Sequence, residues 1–286
     1  MSTTKQDMFS TTAKLAAMAL LVFAPAAAQA QDRIPVPLTD PSRPVMLRVG
    51  LITGGITVKG ADVKEVLVEA KVRAEDDSDD DRRSKRGGMK RLPVNTSGLT
   101  VEEENNTVRV GSESHNQAVD LTITVPRQTS VRLRALNDGD IVVSGIEGEL
   151  DVNNNNGNVT CTNVSGSVLA HSLNGDVKVI MVRSAGKPMA FSSLNGEIDV
   201  TLPADIKANV SFKAANGEVY SDFDVTVQPT APQQITEPRG SGKGAYKVKV
   251  ERTVRGTING GGPEIQFTNH NGDIYIRKAG APRSND

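Results

Sequence analysis

The stretch LNGDVKV, residues 173–179, returns as LNGEIDV at residues 194–200. In both copies a polar corner of Asn, Gly and an acid precedes aliphatic residues at every second position. Alternation of this kind places one side chain in two on the buried face of a β-strand. The duplication therefore indicates either a ligand loop that is used twice or one corner of a repeating fold.

The same corner recurs along the second half of the chain. Its glycines are Gly139, Gly157, Gly175, Gly196, Gly217 and, after an interruption, Gly272. The first five are separated by 18, 18, 21 and 21 residues, and Gly148 and Gly166 fall half-way between the early ones. Because one strand and one turn occupy about nine residues, each unit is predicted to contain two strands and two corners.

Residue types at fixed offsets from these glycines support the repeat. Asn precedes five of the six glycines and Asp138 precedes the other, and such pairs supply the positive φ that a tight turn requires. Two and four residues after each glycine the side chain is aliphatic, except for Cys161 and Ser221. Cys161 shares its column with Val143 and Val179, so we expect a buried small side chain rather than a nucleophile.

Composition agrees with a β protein. The chain has no Trp, three Tyr and six Phe, so Val, Ile, Leu and Ala must fill the core. Helical periodicity is absent, and alternating segments at residues 47–58, 66–72, 107–110 and 118–125 precede the repeat. The predicted fold class is all-β, a β-solenoid or stacked β-strand repeat forming a single elongated domain. With 33 Lys plus Arg against 34 Asp plus Glu, bulk electrostatic attraction to nucleic acid is not expected.

The N-terminal segment suggests export. Lys5 and Lys14 precede an apolar run at residues 15–28 that closes on Ala-Gln-Ala at residues 28–30. Residues 1–30 are therefore predicted to be a cleaved signal peptide of a protein of the periplasm or cell surface. The run is too short to span a bilayer, so no membrane span is expected in the mature chain.

The predicted domain organisation continues after the signal peptide with a linker at 31–43, the repeat domain at 44–280 with loop insertions at 75–91 and 228–244, and a tail at 281–286.

Taken in order, several segments carry a family resemblance. They are GGITVKGADVKEVLVEAKV, AVDLTITVPRQTSVRLRALNDGDIVVSGIEGELDV, the serial NGD and NGE units, and HNGDIYIRK. Together they resemble the bacterial putative-adhesin domain family, a β-strand-repeat domain of unknown function. The resemblance spans about residues 44–278 and implies a right-handed β-solenoid or related stacked sheets on the cell envelope, with no catalytic motif. The charged segment at 75–91 departs from it.

The residue after each motif glycine could carry chemistry. A regular stack would align Asp140, Asp176, Glu197, Glu218 and Asp273 on one edge, and oxygen-rich edges can hold Ca²⁺. The glycine-rich nonapeptide GGxGxD of calcium-binding β-rolls is absent, however, and acids after tight turns are common on solvated surfaces. A Ca²⁺-binding edge and a solvated edge both remain open, and no other cofactor is expected.

No catalytic constellation is apparent in the sequence. His115, His171 and His270 have neither metal-ligand nor catalytic spacing, and we predict no catalytic residue. The predicted function is that of a secreted, non-catalytic envelope protein acting in adhesion, as a scaffold or as a binding module, with an envelope protein or a glycan as partner. The alternatives are a β-helix polysaccharide lyase or hydrolase and an envelope signalling or filament subunit. Scarce aromatics weigh against the enzyme, because sugar sites commonly use aromatic faces.

Overall fold

The computed structural model describes residues 32–73, 98–112, 117–228, 233–236, 248–251 and 253–280. Every regular element in these ranges is a β-strand, which confirms the predicted all-β class. The predicted signal peptide, the segment 75–91 and the tail 281–286 lie outside the described residues. In chain order the strands are β1 (Asp32–Val36), β2 (Met46–Thr53), β3 (Ile56–Ala61), β4 (Val66–Val72), β5 (Leu99–Glu104), β6 (Thr107–Ser112), β7 (Val119–Pro126), β8 (Ser130–Asn137), β9 (Ile141–Ser144), β10 (Leu150–Asn156), β11 (Val159–Gly166), β12 (Val168–Asn174), β13 (Val177–Ser184), β14 (Met189–Asn195), β15 (Ile198–Leu202), β16 (Ala208–Asn216), β17 (Val219–Ser221), β18 (Thr226–Gln228), β19 (Gln233–Thr236), β20 (Val248–Glu251), β21 (Val254–Ile258), β22 (Glu264–Asn271) and β23 (Ile274–Lys278).

Two large sheets enclose one hydrophobic core. Sheet A has the strand order β1-β4-β7-β3-β9-β11-β13-β15-β23-β17. Sheet B has the order β18-β21-β16-β22-β14-β12-β10-β8-β2-β6-β5. Strands β19 and β20 pair separately as an antiparallel ribbon.

The chain alternates between the two sheets, so that a strand of sheet B followed by a strand of sheet A forms one coil of a solenoid. Val177 pairs with Val159 in the preceding coil and with Ile198 in the following one, in parallel register. These partners are separated by the 18 and 21 residues that the sequence repeat contains. The stacked-strand fold predicted from the motif is therefore confirmed.

The order of the coils departs from the order of the chain at both ends of the stack. The spatial order is β6–β7, β2–β3, β8–β9, β10–β11, β12–β13, β14–β15, β22–β23, β16–β17. Thus the coil that contains Gly272 inserts between the coils of Gly196 and Gly217 instead of following the latter. Near the other end, the coil β2–β3 is likewise enclosed, between β6–β7 and β8–β9.

Additional antiparallel strands cover most of the ends of the two sheets. Beyond β7, sheet A continues with β4 and β1, and beyond β6, sheet B continues with β5. At the opposite end β21 and β18 extend sheet B beyond β16. Such strands limit edge-to-edge pairing with other chains.

Inward-facing side chains form continuous columns through the core. Six residues of the column of Val177 have no solvent exposure: Ile56, Ile141, Val159, Val177, Ile198 and Ile274. Val219, which pairs with Ile274 at the end of the column, is exposed. In sheet B, Phe191, Phe267 and Phe212 stack with ring centroids 5.3 and 5.4 Å apart. Burying each large aliphatic or aromatic side chain stabilises the fold by about 1.5–3 kcal/mol. Ser221, the exception in the sequence column, lies exposed on β17 at the end of sheet A.

Three sequence predictions need correction. Residues 31–43, predicted as a linker, contribute β1 and two core side chains, Val36 and Leu38. The segment 47–58, predicted as continuous strand, is divided between β2 and β3, with a corner at Gly54 that sends the two strands to different sheets. The predicted loop 228–244 contains β19, which pairs with β20.

The residues that the structure describes include no helix of the length and hydrophobicity that a membrane crossing would need.

Candidate functional site

The motif glycines occupy a column in which successive backbones are in close contact. A Cβ atom added to Gly175 would lie 2.3 Å from the carbonyl oxygen of Gly157, and one added to Gly196 would lie 2.3 Å from that of Gly175. No side chain fits at such distances. The same applies to Gly139, Gly157, Gly217 and Gly272. The structure therefore gives these predicted turn residues an architectural role.

The Asn residue before each glycine has a role that the sequence did not reveal. These residues form a side-chain ladder in which each amide N–H₂ donates to the Oδ1 atom of the neighbouring coil, at 2.7–2.9 Å. The ladder runs through Asn156, Asn174, Asn195, Asn271 and Asn216, and it starts at Asn137, which lies two residues before Gly139. Positive φ, which was predicted for the Asn-Gly and Asp-Gly pairs, occurs at Asp138 and at the glycines of four pairs, Gly157, Gly175, Gly196 and Gly272, but not at the Asn residues. Asn ladders are a known means of stabilising stacked identical strands.

The predicted acidic edge forms a second ladder. The Oδ1 atom of Asp140 accepts a hydrogen bond from the backbone N–H of Asn158, whose own Oδ1 accepts from the N–H of Asp176. Asp176 in turn accepts from Glu197 at 2.8 Å, and Asp273 accepts from Glu218 at 2.8 Å. The structure thus aligns the five predicted acids, with Asp273 inserted between Glu197 and Glu218.

These hydrogen bonds account for Asp140, Asp176 and Asp273 without a ligand. Within the described ranges, no three His, Cys, Asp or Glu residues are grouped in a way that could hold a metal ion. Asn158 fills an acid position of the ladder and makes the same hydrogen bond, so the position requires an acceptor oxygen rather than a charge. Binding of Ca²⁺ along the edge stays an untested prediction.

A third column, inside the core, was missed by the sequence analysis. Asn154, Ser172, Ser193 and Asn269 are buried, and each donates to the carbonyl oxygen of a motif glycine at 2.9–3.0 Å. Such bonds matter because an unpaired buried carbonyl costs about 1–3 kcal/mol. A polar residue three positions before the motif glycine is the sequence signal that could have identified this column.

Near the N-terminal end of the stack, the side chain of Arg73 stabilises one corner where a ladder residue is absent. Its guanidinium donates to Asp120 at 2.6 and 2.8 Å and to the backbone carbonyl of Asp138 at 2.7 Å. Burial tends to raise the pKa of Asp120, but the hydrogen bonds from Arg73 and from the N–H of Gly55, together with the positive charge of Arg73, lower the pKa below its ordinary value. This ion pair fixes the corner at Gly55.

The Cys and His residues offer little reactivity. Cys161 is fully buried, as predicted, and burial raises the pKa of its thiol to about 12. His171 lies in β12 with its Nδ1 atom 2.8 Å from the hydroxyl of Ser192, and partial burial lowers its pKa. His270 is exposed in β22, and His115 lies outside the described residues.

The outer face of sheet A is rich in hydroxyl groups. Six adjacent strands, β7, β3, β9, β11, β13 and β15, each present two outward positions in register. One row is Thr122, Thr57, Val142, Thr160, Lys178 and Asp199, and the next is Thr124, Lys59, Ser144, Thr162, Ile180 and Thr201. We call these twelve positions the hydroxyl face, because seven of them are half-buried Ser or Thr. The sequence analysis missed this surface, although the residue types three and five positions after the motif glycines could have identified it.

Part of the repeat matches a known family model. Residues 135–259 match the family model Toastrack DUF4097. The match confirms, for this part of the chain, the predicted resemblance to a β-strand-repeat domain of unknown function. The matched segment begins in β8 and ends just after β21, so it includes most of the coils that carry the Asn and acid ladders but not β22–β23, which contributes Asn271 and Asp273.

Two solved bacterial proteins match most of this chain at low sequence identity. A "putative cell adhesion protein" from Clostridium sporogenes ATCC 15579 is 12% identical, with a TM-score of 0.42 over 87% of this chain and 100% of its own. A "putative adhesin" from Bacteroides fragilis NCTC 9343 is 13% identical, with a TM-score of 0.36 over 88% of this chain and 98% of its own. A comparison with curated proteins gave no match to this sequence.

Proposed function

We propose that this protein is a non-catalytic binding module that attaches to a glycan or protein of the cell envelope through the hydroxyl face. The observation that carries the proposal is the geometry of that face: short side chains with hydroxyl groups occur in register on five of six adjacent parallel strands, and only β13 has none. Neighbouring strands are about 4.8 Å apart. An extended partner could therefore repeat one kind of contact along the stack.

The chemistry of the face suits a polar, extended partner. Ser and Thr hydroxyls donate and accept hydrogen bonds, so they match sugar hydroxyls and peptide groups equally well. Their side chains are short and already half-buried, so little conformational entropy is lost when a partner is bound. Many weak contacts of this kind add up over a rigid surface.

Non-catalytic action is the other part of the proposal. Three of the five acids on the ladder, Asp140, Asp176 and Asp273, accept hydrogen bonds from backbone N–H groups of the next coil. The thiol of Cys161 is buried and protonated at neutral pH. These features favour a structural use of the groups from which catalysis would have to be built.

The proposed location is the periplasm or the cell surface. It rests on the signal-peptide pattern of residues 1–30, which lie outside the described residues. Envelope glycans and proteins are the partners that a chain exported in this way would meet. Mass spectrometry of the protein from fractionated cells tests the location, with an N-terminus at Gln31 as the expected result.

The binding proposal is tested with a pair of matched substitutions. Thr160→Glu places a charge in the middle of the hydroxyl face, whereas Thr268→Glu places the same charge at an exposed position of β22 on the other sheet. Fluorescently labelled wild type and variants are incubated with an envelope fraction and with purified peptidoglycan, and the bound fraction is measured. We expect binding to be lost in Thr160→Glu and kept in Thr268→Glu. Equal binding by the two variants would overturn the assignment of the face.

A further inference from the structure

Two glycines on the outer face of sheet B have no architectural explanation. Every other glycine that the structure describes either has a positive φ or would place a Cβ atom 3.2 Å or less from another atom. At Gly50 a Cβ would meet nothing within 4 Å, and at Gly111 it would meet only the carbonyl oxygen of Gly50, at 3.8 Å. Neither has positive φ. Side chains would fit at both positions.

These two glycines face each other across neighbouring strands and leave a depression. Gly50 in β2 is the register partner of Gly111 in β6. The depression above them has a volume of about 270 Å³ and is also lined by Thr100 and Arg109. Glycine inside a strand weakens the strand, and it often marks a position where a ligand approaches the backbone.

Arg109, which lines the depression, belongs to a row of arginines on the outer face of sheet B. Arg109, Arg48 and Arg132 are direct register partners on three adjacent strands, and Arg134 is the partner of Gly50. Like charges placed directly opposite each other on a sheet are destabilising. A row of three guanidinium groups therefore requires compensating negative charge.

Acidic residues compensate only the flanks of this row. Arg132 lies 2.8 Å from Asp151, and Arg109 lies 3.6 Å from Glu104. Arg48, between them, has no carboxylate within 4.0 Å among the described residues. Glu102, opposite Arg109, lines the depression and opposes an incoming anion. The uncompensated charge thus lies beside the two glycines.

We propose that this depression binds a tetrahedral oxyanion, the phosphate or sulfate group of a larger molecule or the free ion. Arg48 and Arg109 supply the guanidinium donors, and Arg134, the register partner of Gly50, adds positive charge that Asp151 at 4.0 Å partly offsets. The absence of side chains at Gly50 and Gly111 lets the anion approach the sheet. Guanidinium groups are suited to this task because their planar set of N–H donors matches oxyanions and stays charged at any physiological pH. This site is distinct from the hydroxyl face, which lies on the other sheet.

Titration with inorganic phosphate and inorganic sulfate, followed by NMR, tests the site. Salt is kept low, because weak ion binding at a surface is screened. We expect saturable shifts of the Gly50 and Gly111 amide signals, with NaCl at equal ionic strength as the reference. Arg48→Gln should weaken binding about tenfold, since a hydrogen bond to a charged group is lost. Arg255→Gln, an exposed substitution on the same face of sheet B in β21, should leave it unchanged.

Two further variants separate binding from folding. Gly111→Val fills the depression with a residue that favours strands and meets no steric obstacle, so its thermal stability should equal or exceed that of wild type while anion binding is lost. Glu102→Gln removes the opposing charge and should tighten binding. Methyl phosphate and methyl sulfate then distinguish the two esters, and tighter binding of either identifies the group. Unchanged binding in Gly111→Val, or an equal loss in Arg48→Gln and Arg255→Gln, would overturn the proposal.

Discussion

The side-chain amide of Asn271 donates to the Oδ1 atom of Asn195 at 2.7 Å, although 76 residues of sequence separate the two. This bond joins the inserted coil β22–β23 to the coil β14–β15 and continues the Asn ladder across the break in chain order. Side chains that follow one another in the ladder therefore do not always follow one another in the chain.

Removing a residue of the Asn ladder should lower the free energy of unfolding more in the middle of the ladder than at its end. Asn195→Ala deletes two side-chain hydrogen bonds, to Asn174 and from Asn271, whereas Asn216→Ala deletes one at the end of the ladder. We expect losses of about 1–2 kcal/mol and about 0.5–1 kcal/mol in the free energy of unfolding. Urea denaturation, with the slope m checked for constancy, measures both. Equal losses would mean that the ladder contributes little beyond solvation.

Glycine at the motif position should be indispensable. Gly175→Ala would bring a Cβ atom to 2.3 Å from the carbonyl oxygen of Gly157, so the coils must separate locally. We expect a loss above about 4 kcal/mol or an insoluble product. Gly186→Ala is the control, because that turn glycine has φ +64° but open space around it, and we expect a loss of about 1 kcal/mol. Circular dichroism during heating compares the two.

The acid ladder should tolerate loss of charge but not loss of the acceptor. Asp176→Asn keeps an oxygen for the N–H of Glu197, as Asn158 does naturally for Asp176, and should be as stable as wild type. Asp176→Ala should lose about 1–2 kcal/mol. Calorimetric titration with Ca²⁺ is then run on wild type and on the triple variant with Asn at Asp140, Asp176 and Asp273. Ca²⁺ binding by wild type alone would support a cation edge, and no binding by either would discard it.

The ion pair of Arg73 and Asp120 predicts a dependence of stability on pH. Because the pKa of Asp120 is lowered in the folded chain, its contribution is fully present above the ordinary aspartate pKa, about 3.9, and is lost as pH falls through the folded value. Wild type should therefore be more stable than Asp120→Asn at pH 7, and the difference should shrink below about pH 4. Thermal melts of both proteins between about pH 2 and pH 7, a range that includes the ordinary aspartate pKa, would test this. A constant difference would contradict the assigned ion pair.

Sequence reasoning succeeded where the determinants of structure are local. The repeat length, the inward column of Val177 and the burial of Cys161 follow from turn residues and strict alternation, and the structure confirms them. The coil order was not predictable, because insertion of β22–β23 depends on pairing between distant segments that have the same motif as their neighbours. The corner at Gly54 was missed because it lacks the Asn that marks the others.

The candidate site was likewise predictable from the sequence only where its determinants are local. Alignment of the acids on one edge follows from the register, which the repeat predicts. Their use as acceptors depends on the distance between coils, which the column of backbone-contacting glycines determines and which no single motif encodes. The pairing of Gly50 with Gly111 joins segments that share no repeat, so only the fold could bring the two glycines together.

Coil insertion also determines how the protein responds to mechanical force. Tension applied at the C-terminal side reaches β23 and β22 first, and both strands are hydrogen-bonded to neighbours on two sides. Toward the other terminus, β1 can peel from β4, but the load then meets β2, which is held between β6 and β8. Extension must therefore slide interior strands lengthwise past two partners at once instead of opening one edge bond by bond. A stack built in this way resists pulling from either terminus.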